Sequence, residues 1–180
     1  MAKGYTKDYV GVVPFPDTVE LRPIGIVRSP YTERWGTPRQ ARVPEAAPHA
    51  APREGRVELF PDVVPPIALK DLDGFDYAWL ICWLHLNKGW NPTVRPPRGP
   101  AVKRGLLATR APHRPNQLGL SAVQVVGVEG HVLHVRGLDI LDGTPVLDIK
   151  PYVPYCDAFP DASAGWVDAL DAAGKQGEGE

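Results

Sequence analysis

The sequence predicts an all-β fold, a small closed or nearly closed β-barrel with short peripheral helices. Three observations carry that prediction. The chain has 21 prolines and 18 glycines in 180 residues, which break long helices and favour short strands joined by turns. Seven short segments rich in apolar and β-branched residues follow one another at close spacing, the pattern of a barrel. No internal repeat or long linker divides the chain, and its length suffices for one continuous core without disulfides or metal.

The elements follow in order. Residues 24–29 are short and β-branched. Residues 55–60 alternate Val57 and Leu59 with Arg56 and Glu58, as a strand with one wet face does. Residues 79–86 are almost wholly apolar and predict a strand buried on both faces. Residues 106–109 give a fourth strand and the valine-rich residues 121–128 a fifth. Glu129-Gly130 marks a turn, with residues 131–136 as the hairpin partner, and residues 146–149 add one more strand. Helix is expected only in pieces. Asp161 is positioned to cap a C-terminal helix with Trp166, Val167 and Leu170 on one face, ended by Gly174 and followed by a solvated tail. The expected organisation is an N-terminal extension over 1–19, a barrel domain over 20–165, and a short helix and tail over 166–180.

Charge and composition limit the function. Lys and Arg total 20 against 21 Asp and Glu, so nothing attracts nucleic acid globally. The basic residues are nevertheless uneven. Arg95, Arg98, Lys103, Arg104, Arg110 and Arg114 fall in one stretch without an acidic residue, which allows a local basic patch. Cys82 sits in an apolar run and is expected to be a buried free thiol. The first 18 residues lack the apolar core of a signal peptide, and no apolar run approaches the ~20 residues of a membrane span. A cytoplasmic protein is expected. The five histidines show no zinc-ligand spacing, so no metal is expected. No Gly-x-Gly-x-x-Gly follows a strand, which disfavours a Rossmann-type site. No Ser–His–Asp or Cys–His arrangement stands out either.

Four segments carry candidate chemistry. Residues 105–116 end a strand in a turn where Pro112 and Pro115 stiffen the backbone around Arg110, His113, Arg114 and Asn116. Held groups of this kind suit a carboxylate or phosphate, although a solvated proline-rich loop has the same composition. Residues 138–152 place Asp142-Gly143 as a tight turn between β-prone segments, bracketed by Asp139 and Asp148. Asp148 and Lys150 lie two apart on one strand face, where they can pair. A capped turn with one ion pair accounts for part of this run, but less well for three aspartates. Residues 36–42 put Arg39 and Gln40 in a polar loop. His85 ends the apolar run that leads into residues 85–98, where an imidazole can bind a ligand or cap a barrel rim.

These four segments resemble the TrmO family, also called TsaA-like or YaeB-like proteins, from about residue 20 to about residue 165. The family pattern of a glycine, an apolar pair, Thr-Arg and then Arg-Pro-Asn is met by Gly105, Leu106, Leu107, Thr109, Arg110, Arg114, Pro115 and Asn116. The run Asp-Gly-Thr-Pro-Val-Leu-Asp-Ile-Lys-Pro-Tyr from Asp142 to Tyr152 matches almost unchanged. So do Pro38, Arg39 and Gln40, and the stretch from Gly89 and Trp90 through Arg98. The resemblance implies a β-barrel that binds S-adenosyl-L-methionine and works as a homodimer. It also implies methylation of the exocyclic amino nitrogen of threonylcarbamoyladenosine beside a transfer RNA anticodon. The cofactor contacts it implies fall on Pro38, Arg39, Gln40, His85, Leu86, Arg110, Leu120, Leu138 and Asp139. The chain departs from the family in two respects. Asp76-Tyr77 stands where Ser-His is usual, and Gln117-Leu118 stands where Pro-Ile is usual. In addition, the bacterial members closest in motif carry an extra C-terminal domain beyond the position of Gly165, whereas the archaeal type does not.

Methyl transfer from a sulfonium is an in-line displacement, so holding the reactants ~3–3.5 Å apart supplies much of the rate. The nitrogen nucleophile must also lose a proton. The catalytic candidates are therefore Asp142 or Asp148 as proton acceptor, with Arg110 and Arg114 holding anionic groups of the acceptor. Two alternatives remain. One is a methyltransferase acting on a small metabolite or another RNA, and the other is a non-catalytic S-adenosylmethionine-binding protein.

Overall fold

Alternation of side chains decides which face of each strand points inward, and the computed structural model, which describes residues 17–33, 37, 54–97 and 99–177, is built on it. The main strands are β1 (Gly25–Arg28), β2 (Glu54–Leu59), β3 (Tyr77–Trp83), β6 (Leu118–Glu129), β7 (Val132–Arg136) and β8 (Pro145–Pro151). They close as an antiparallel barrel in the order β1-β2-β7-β6-β3-β8. Closure gives every main strand a neighbour on both sides over part of its length, which limits the sheet edge that invites aggregation. Outside the barrel, β4 (Thr93–Val94) pairs with β5 (Arg104–Gly105). The α-helices are α1 (Pro154–Asp157) and α2 (Trp166–Gly177).

The inward positions form the core. Val27, Val57, Leu80, Val123, Leu133 and Val146 are fully buried, one from each barrel strand. Each contributes about 1.5–3 kcal/mol from burial. The seam between β1 and β8 is short, with Gly25 opposite Val146 and Ile26 opposite Pro145. Gly25 is required there, since a Cβ would lie 2.6 Å from the Glu58 carbonyl oxygen. Strand β6 turns the corner of the barrel. Its first half pairs with β3 and its second half with β7, with a bulge between Val125 and Gly127.

Between β7 and β8 the chain crosses one end of the barrel. Leu138 and Ile140 enter the core there as a plug. The Ser29 hydroxyl donates to the Ile140 carbonyl at 2.7 Å, and the Asp142 N–H donates to the Tyr31 carbonyl at 2.7 Å. Gly143 takes a positive φ of 75° and donates its N–H to the Val27 carbonyl, so the expected Asp142-Gly143 turn is present. The hairpin after Glu129 also matches expectation, with Gly130 at φ 57°.

Three expectations need correction. The 79–86 segment is not a strand buried on both faces. Strand β3 ends at Trp83 and buries only Ala78, Leu80 and Cys82, while Tyr77, Trp79 and Ile81 are half-buried and Trp83 is exposed. A closed single-sheet barrel has one core side, so an apolar run need not mean two buried faces. Residues 106–109 are not a strand either. Leu106–Ala108 is a 3-10 turn, closed by the Thr109 hydroxyl and N–H, both donating to the Leu106 carbonyl. Finally, helix α2 runs past Gly174 to Gly177, which takes part of the expected tail into the helix, and Asp161 is not its cap. Asp168 folds back instead and accepts from the Ala164 N–H at 2.6 Å.

Cys82 is a buried free thiol whose pKa is pushed up to about 12 by desolvation and, secondarily, by the negative charge of Asp139, while Cys156 is exposed. Ellman's reagent added to the native protein is expected to react with Cys156 alone, and Cys156→Ser to abolish the fast reaction. Rapid labelling that survives this substitution would remove Cys82 from the core. An unfolded thiol ionises near 9.0 and the native one near 12, so stability is complete below the lower value and falls as pH rises towards the upper. Thermal melts of the native protein against Cys82→Ala across that window check the sign.

Candidate functional site

Strand β7 begins to pair with β6 only at Gln124, so residues 118–123 of β6 have one edge with no strand beside it among the described residues. The site candidates gather along that edge. Arg110, carried there by the turn after the 3-10 segment, donates from Nη2 to the Leu120 carbonyl at 3.3 Å. Further along, the Ser121 hydroxyl donates to Asp139 Oδ1 at 2.7 Å. Ser121 is an inward-pointing, buried polar residue, and this bond meets the requirement for a partner. It also ties the plug loop to β6.

The turn itself is held by its own side chains. Arg114 Nη1 donates to the Thr109 carbonyl at 2.9 Å and to the Ala111 carbonyl at 3.4 Å. The Ala111 N–H donates to the Thr109 hydroxyl. The expected stiff turn is therefore present, and Arg114 is one of the groups that stiffen it. At its far end Gln117 joins the turn to the segment after β3. Its carbonyl accepts from the Leu84 N–H, its amide nitrogen donates to Asn87, and its amide oxygen accepts from the Trp83 indole. Gly119 lies so close to Leu84 that a Cβ would come within 3.0 Å of it.

His85 and Leu86 follow directly after β3 at this same end. The His85 ring lies 5.7 Å from that of Trp83. Leu86, Leu118, Leu120 and Trp83 are all exposed, at 66, 42, 50 and 43%, so an apolar surface adjoins the polar groups. On the outer face the register sets Leu118, Leu120 and Ala122 beside Trp83, Ile81 and Trp79.

The remaining candidates divide. Leu138 is fully buried in the plug, so its side chain faces the core and only its backbone can face a ligand. Asp142 lies on the rim, where Oδ1 accepts from the Ser29 N–H at 3.0 Å and Oδ2 is 3.8 Å from Arg28. Asp148 sits on the outer face of β8 opposite Ile81. It pairs with Lys150 at 2.9 Å as the spacing predicts. That contact raises the Lys150 pKa through a hydrogen bond first and charge second. The two aspartates are thus in different places, one on the rim and one on the outer wall. Pro38, Arg39 and Gln40 lie outside the described residues. Ser121, Trp83 and Gln117 were not expected as site residues, Gln117 standing out only as a departure from the family pattern. A serine at an inward position among valines was the one available signal, and it marks Ser121. An open depression lined by Leu69, Leu72, Phe75, Ile149 and Pro151, among others, lies towards the opposite end of the barrel, away from these groups.

Comparison with known proteins places the chain among relatives. Residues 26–158 match the tRNA-methyltransferase O N-terminal domain. The chain is 38% identical over 161 residues to a tRNA (adenine(37)-N6)-methyltransferase of Escherichia coli strain K12, covering 86% of this chain and 66% of that protein. It is 43% identical over 153 residues to a Pyrococcus abyssi protein named "Probable S-adenosyl-L-methionine-binding protein", covering 85% of this chain and 78% of that one. The crystal structure of TrmO from Pseudomonas aeruginosa superposes with a TM-score of 0.68 at 40% identity, covering 85% of this chain and 64% of that one. The chain therefore spans about two thirds of the bacterial relatives it matches.

Ser121→Ala leaves the Asp139 carboxylate without the hydroxyl it accepts from. The expected loss is about 1–3 kcal/mol, read as a lower denaturant midpoint at constant slope. Ser121→Thr, which keeps the hydroxyl, is expected to recover part of it. An unchanged midpoint in the alanine variant would mean the plug is held without this bond.

Proposed function

The chain belongs to the tRNA-methyltransferase O N-terminal domain family, and from that membership we propose that it is an S-adenosyl-L-methionine-dependent transfer RNA methyltransferase. The observation that carries the reading is the family match over residues 26–158, which includes the open edge of β6 and every described group gathered on it. The name of the Escherichia coli relative supports an adenine amino nitrogen as acceptor, and that of the Pyrococcus abyssi relative supports the cofactor. We take the acceptor to be threonylcarbamoyladenosine beside the anticodon.

The residues present fit the cofactor. S-adenosylmethionine presents an aromatic base, a ribose diol, a cationic sulfonium and a charged amino-acid end. Leu86, Leu118 and Leu120 offer exposed apolar surface, Arg110 reaches the Leu120 carbonyl, and Asp139 is held by the next residue of β6, Ser121. The Arg110 guanidinium has five N–H donors, of which Leu120 takes one. Asp139 offers acceptor oxygens whose orientation is fixed by Ser121. His85, the Leu138 backbone, Pro38, Arg39 and Gln40 complete the proposed binding set. The cofactor, when bound, supplies an electrophilic methyl group on sulfur. The chain's own contribution is a pre-set surface, since Arg114 and Gln117 hold the turn in place before any ligand arrives.

The amino nitrogen must shed a proton, and Asp142 or Asp148 is the proposed acceptor, directly or through water. Arg110 and Arg114, with Lys103 and Arg104 upstream, form the proposed contact to acceptor phosphates or carboxylate. No helix among the described residues is long and apolar enough to cross a membrane, and the proposed setting is the cytoplasm.

We also propose a homodimer. The outer face of β3 carries Trp79, Ile81 and Trp83 in a row next to the leucines of the proposed cofactor surface, an apolar surface of the kind that marks interaction sites. Sedimentation at twice the chain mass of 19.6 kDa is expected, and a single-chain mass at micromolar concentration would refute it.

Incubation of the protein with labelled S-adenosylmethionine and bulk transfer RNA from a strain lacking the endogenous enzyme tests the function. Methylated threonylcarbamoyladenosine is the expected product on nucleoside analysis. Cofactor binding with no labelled RNA would instead favour a small acceptor or a non-catalytic binder. Alanine at the aspartate that takes the proton is expected to lower turnover about 10²-fold or more with cofactor affinity retained. Unchanged turnover at both Asp142 and Asp148 eliminates the base assignment.

A further inference from the structure

Helix α2 lies wholly beyond residue 158, where the family match ends, yet it is fastened to the segment that delivers Arg110. The Trp166 indole N–H donates to the Ala108 carbonyl at 2.9 Å. The Arg104 guanidinium stands over the Trp166 ring, 5.2 Å from its centroid. Leu170, one helical turn further on, packs on Gly99, where a Cβ would fall 2.6 Å from a leucine methyl and where φ is +79°. Asp168 fixes the helix start through the Ala164 N–H and the Ser163 hydroxyl. Three contacts on three separate residues of the 99–108 segment thus come from one face of one helix.

The position of the indole bond matters more than its strength. Ala108 is the last residue of the 3-10 turn, and the carbonyls at the end of a helical turn have no partner within it. Trp166 supplies that partner from outside. The next residue, Thr109, anchors both ends of the site turn, with its hydroxyl on Leu106 and its carbonyl accepting from Arg114. Arg110 follows and reaches Leu120. The Trp166 bond to Ala108, the consecutive peptide units 108–110 and the Arg110 bond to Leu120 therefore connect α2 to the guanidinium on the open edge of β6.

We propose that Trp166 is a positioning residue for Arg110, with α2 acting as a strap that holds the 106–110 segment against the barrel. The proposal rests on the reading of Arg110 as a cofactor contact. Trp166 acts through the turn, by its indole bond to Ala108 and its ring beneath Arg104. Loss of the indole N–H should loosen the segment, lowering cofactor affinity while leaving the rate of the bound complex nearly unchanged.

The test uses the full chain carrying Trp166→Phe, which keeps a ring and loses the donor, and Trp166→Ala, which loses both. Hydrogen exchange over residues 106–111 is expected to rise about fivefold in the phenylalanine variant, the scale of one net hydrogen bond, and further in the alanine variant. KM for S-adenosylmethionine is expected to rise by a similar factor, with kcat within twofold of the parent protein. Unchanged exchange in the phenylalanine variant overturns the strap. Raised exchange with unchanged KM in an active protein overturns the positioning role. If the alanine variant fails to fold, the phenylalanine variant decides alone. A parent protein that neither binds nor uses S-adenosylmethionine refutes the proposed function and, with it, the positioning role, while the exchange measurement still decides whether α2 holds the turn.

Discussion

The hydrogen bond from Ser121 to Asp139 joins the loop that plugs the barrel to residues 118–123 of β6, a stretch that has no strand on one edge among the described residues. The rest of this end is arranged around that junction. Leu138 and Ile140 enter the core on either side of Asp139, so the carboxylate is fixed by burial of its neighbours as well as by its partner. The fully buried Cys82 feels the charge of Asp139 as a further upward push on its pKa, which shows how near the polar junction lies to the core. The buried Ser121 hydroxyl needs such a partner, because an unpaired polar group in the core carries a desolvation penalty.

The open edge exists because β6 is shared unequally. It is the longest strand of the barrel, and β3 and β7 each take only part of it. A strand edge inside a closed fold would normally leave backbone groups without partners. Here the Arg110 side chain reaches the Leu120 carbonyl, a backbone group of that edge, while Asp139 holds the neighbouring Ser121 through its hydroxyl. A backbone edge covered by side chains can present chemistry that a strand cannot. That is the physical reason the candidate site lies at this end, and the reason two distant segments of sequence meet there.

Much of the fold could be read from the chain because it depends on local rules. Alternation in 55–60, the glycine turns at Gly130 and Gly143, and the proline density all act over a few residues, and each was borne out. The errors came where a local pattern had more than one tertiary meaning. The apolar run of β3 suited a two-sided strand, but the single-sheet barrel leaves its outer side half-exposed. The apolar 106–109 segment suited a strand until the Thr109 hydroxyl closed a 3-10 turn. Asp161 looked like a cap by spacing, but Asp168 was better placed to fold back.

By itself the sequence determined the closed all-β architecture, the stiffness of the 105–116 turn, the Asp148–Lys150 pair and, through its motifs, the family. These rest on neighbours in sequence or on residue types in fixed order, and neither needs a three-dimensional frame. Only the tertiary structure decided that Arg110 meets Leu120, that Ser121 holds Asp139, that Asp142 and Asp148 part company, and that Trp166 fastens α2 to Ala108. Each of these depends on a register or a loop crossing, which is set by how the whole barrel closes and not by any segment alone.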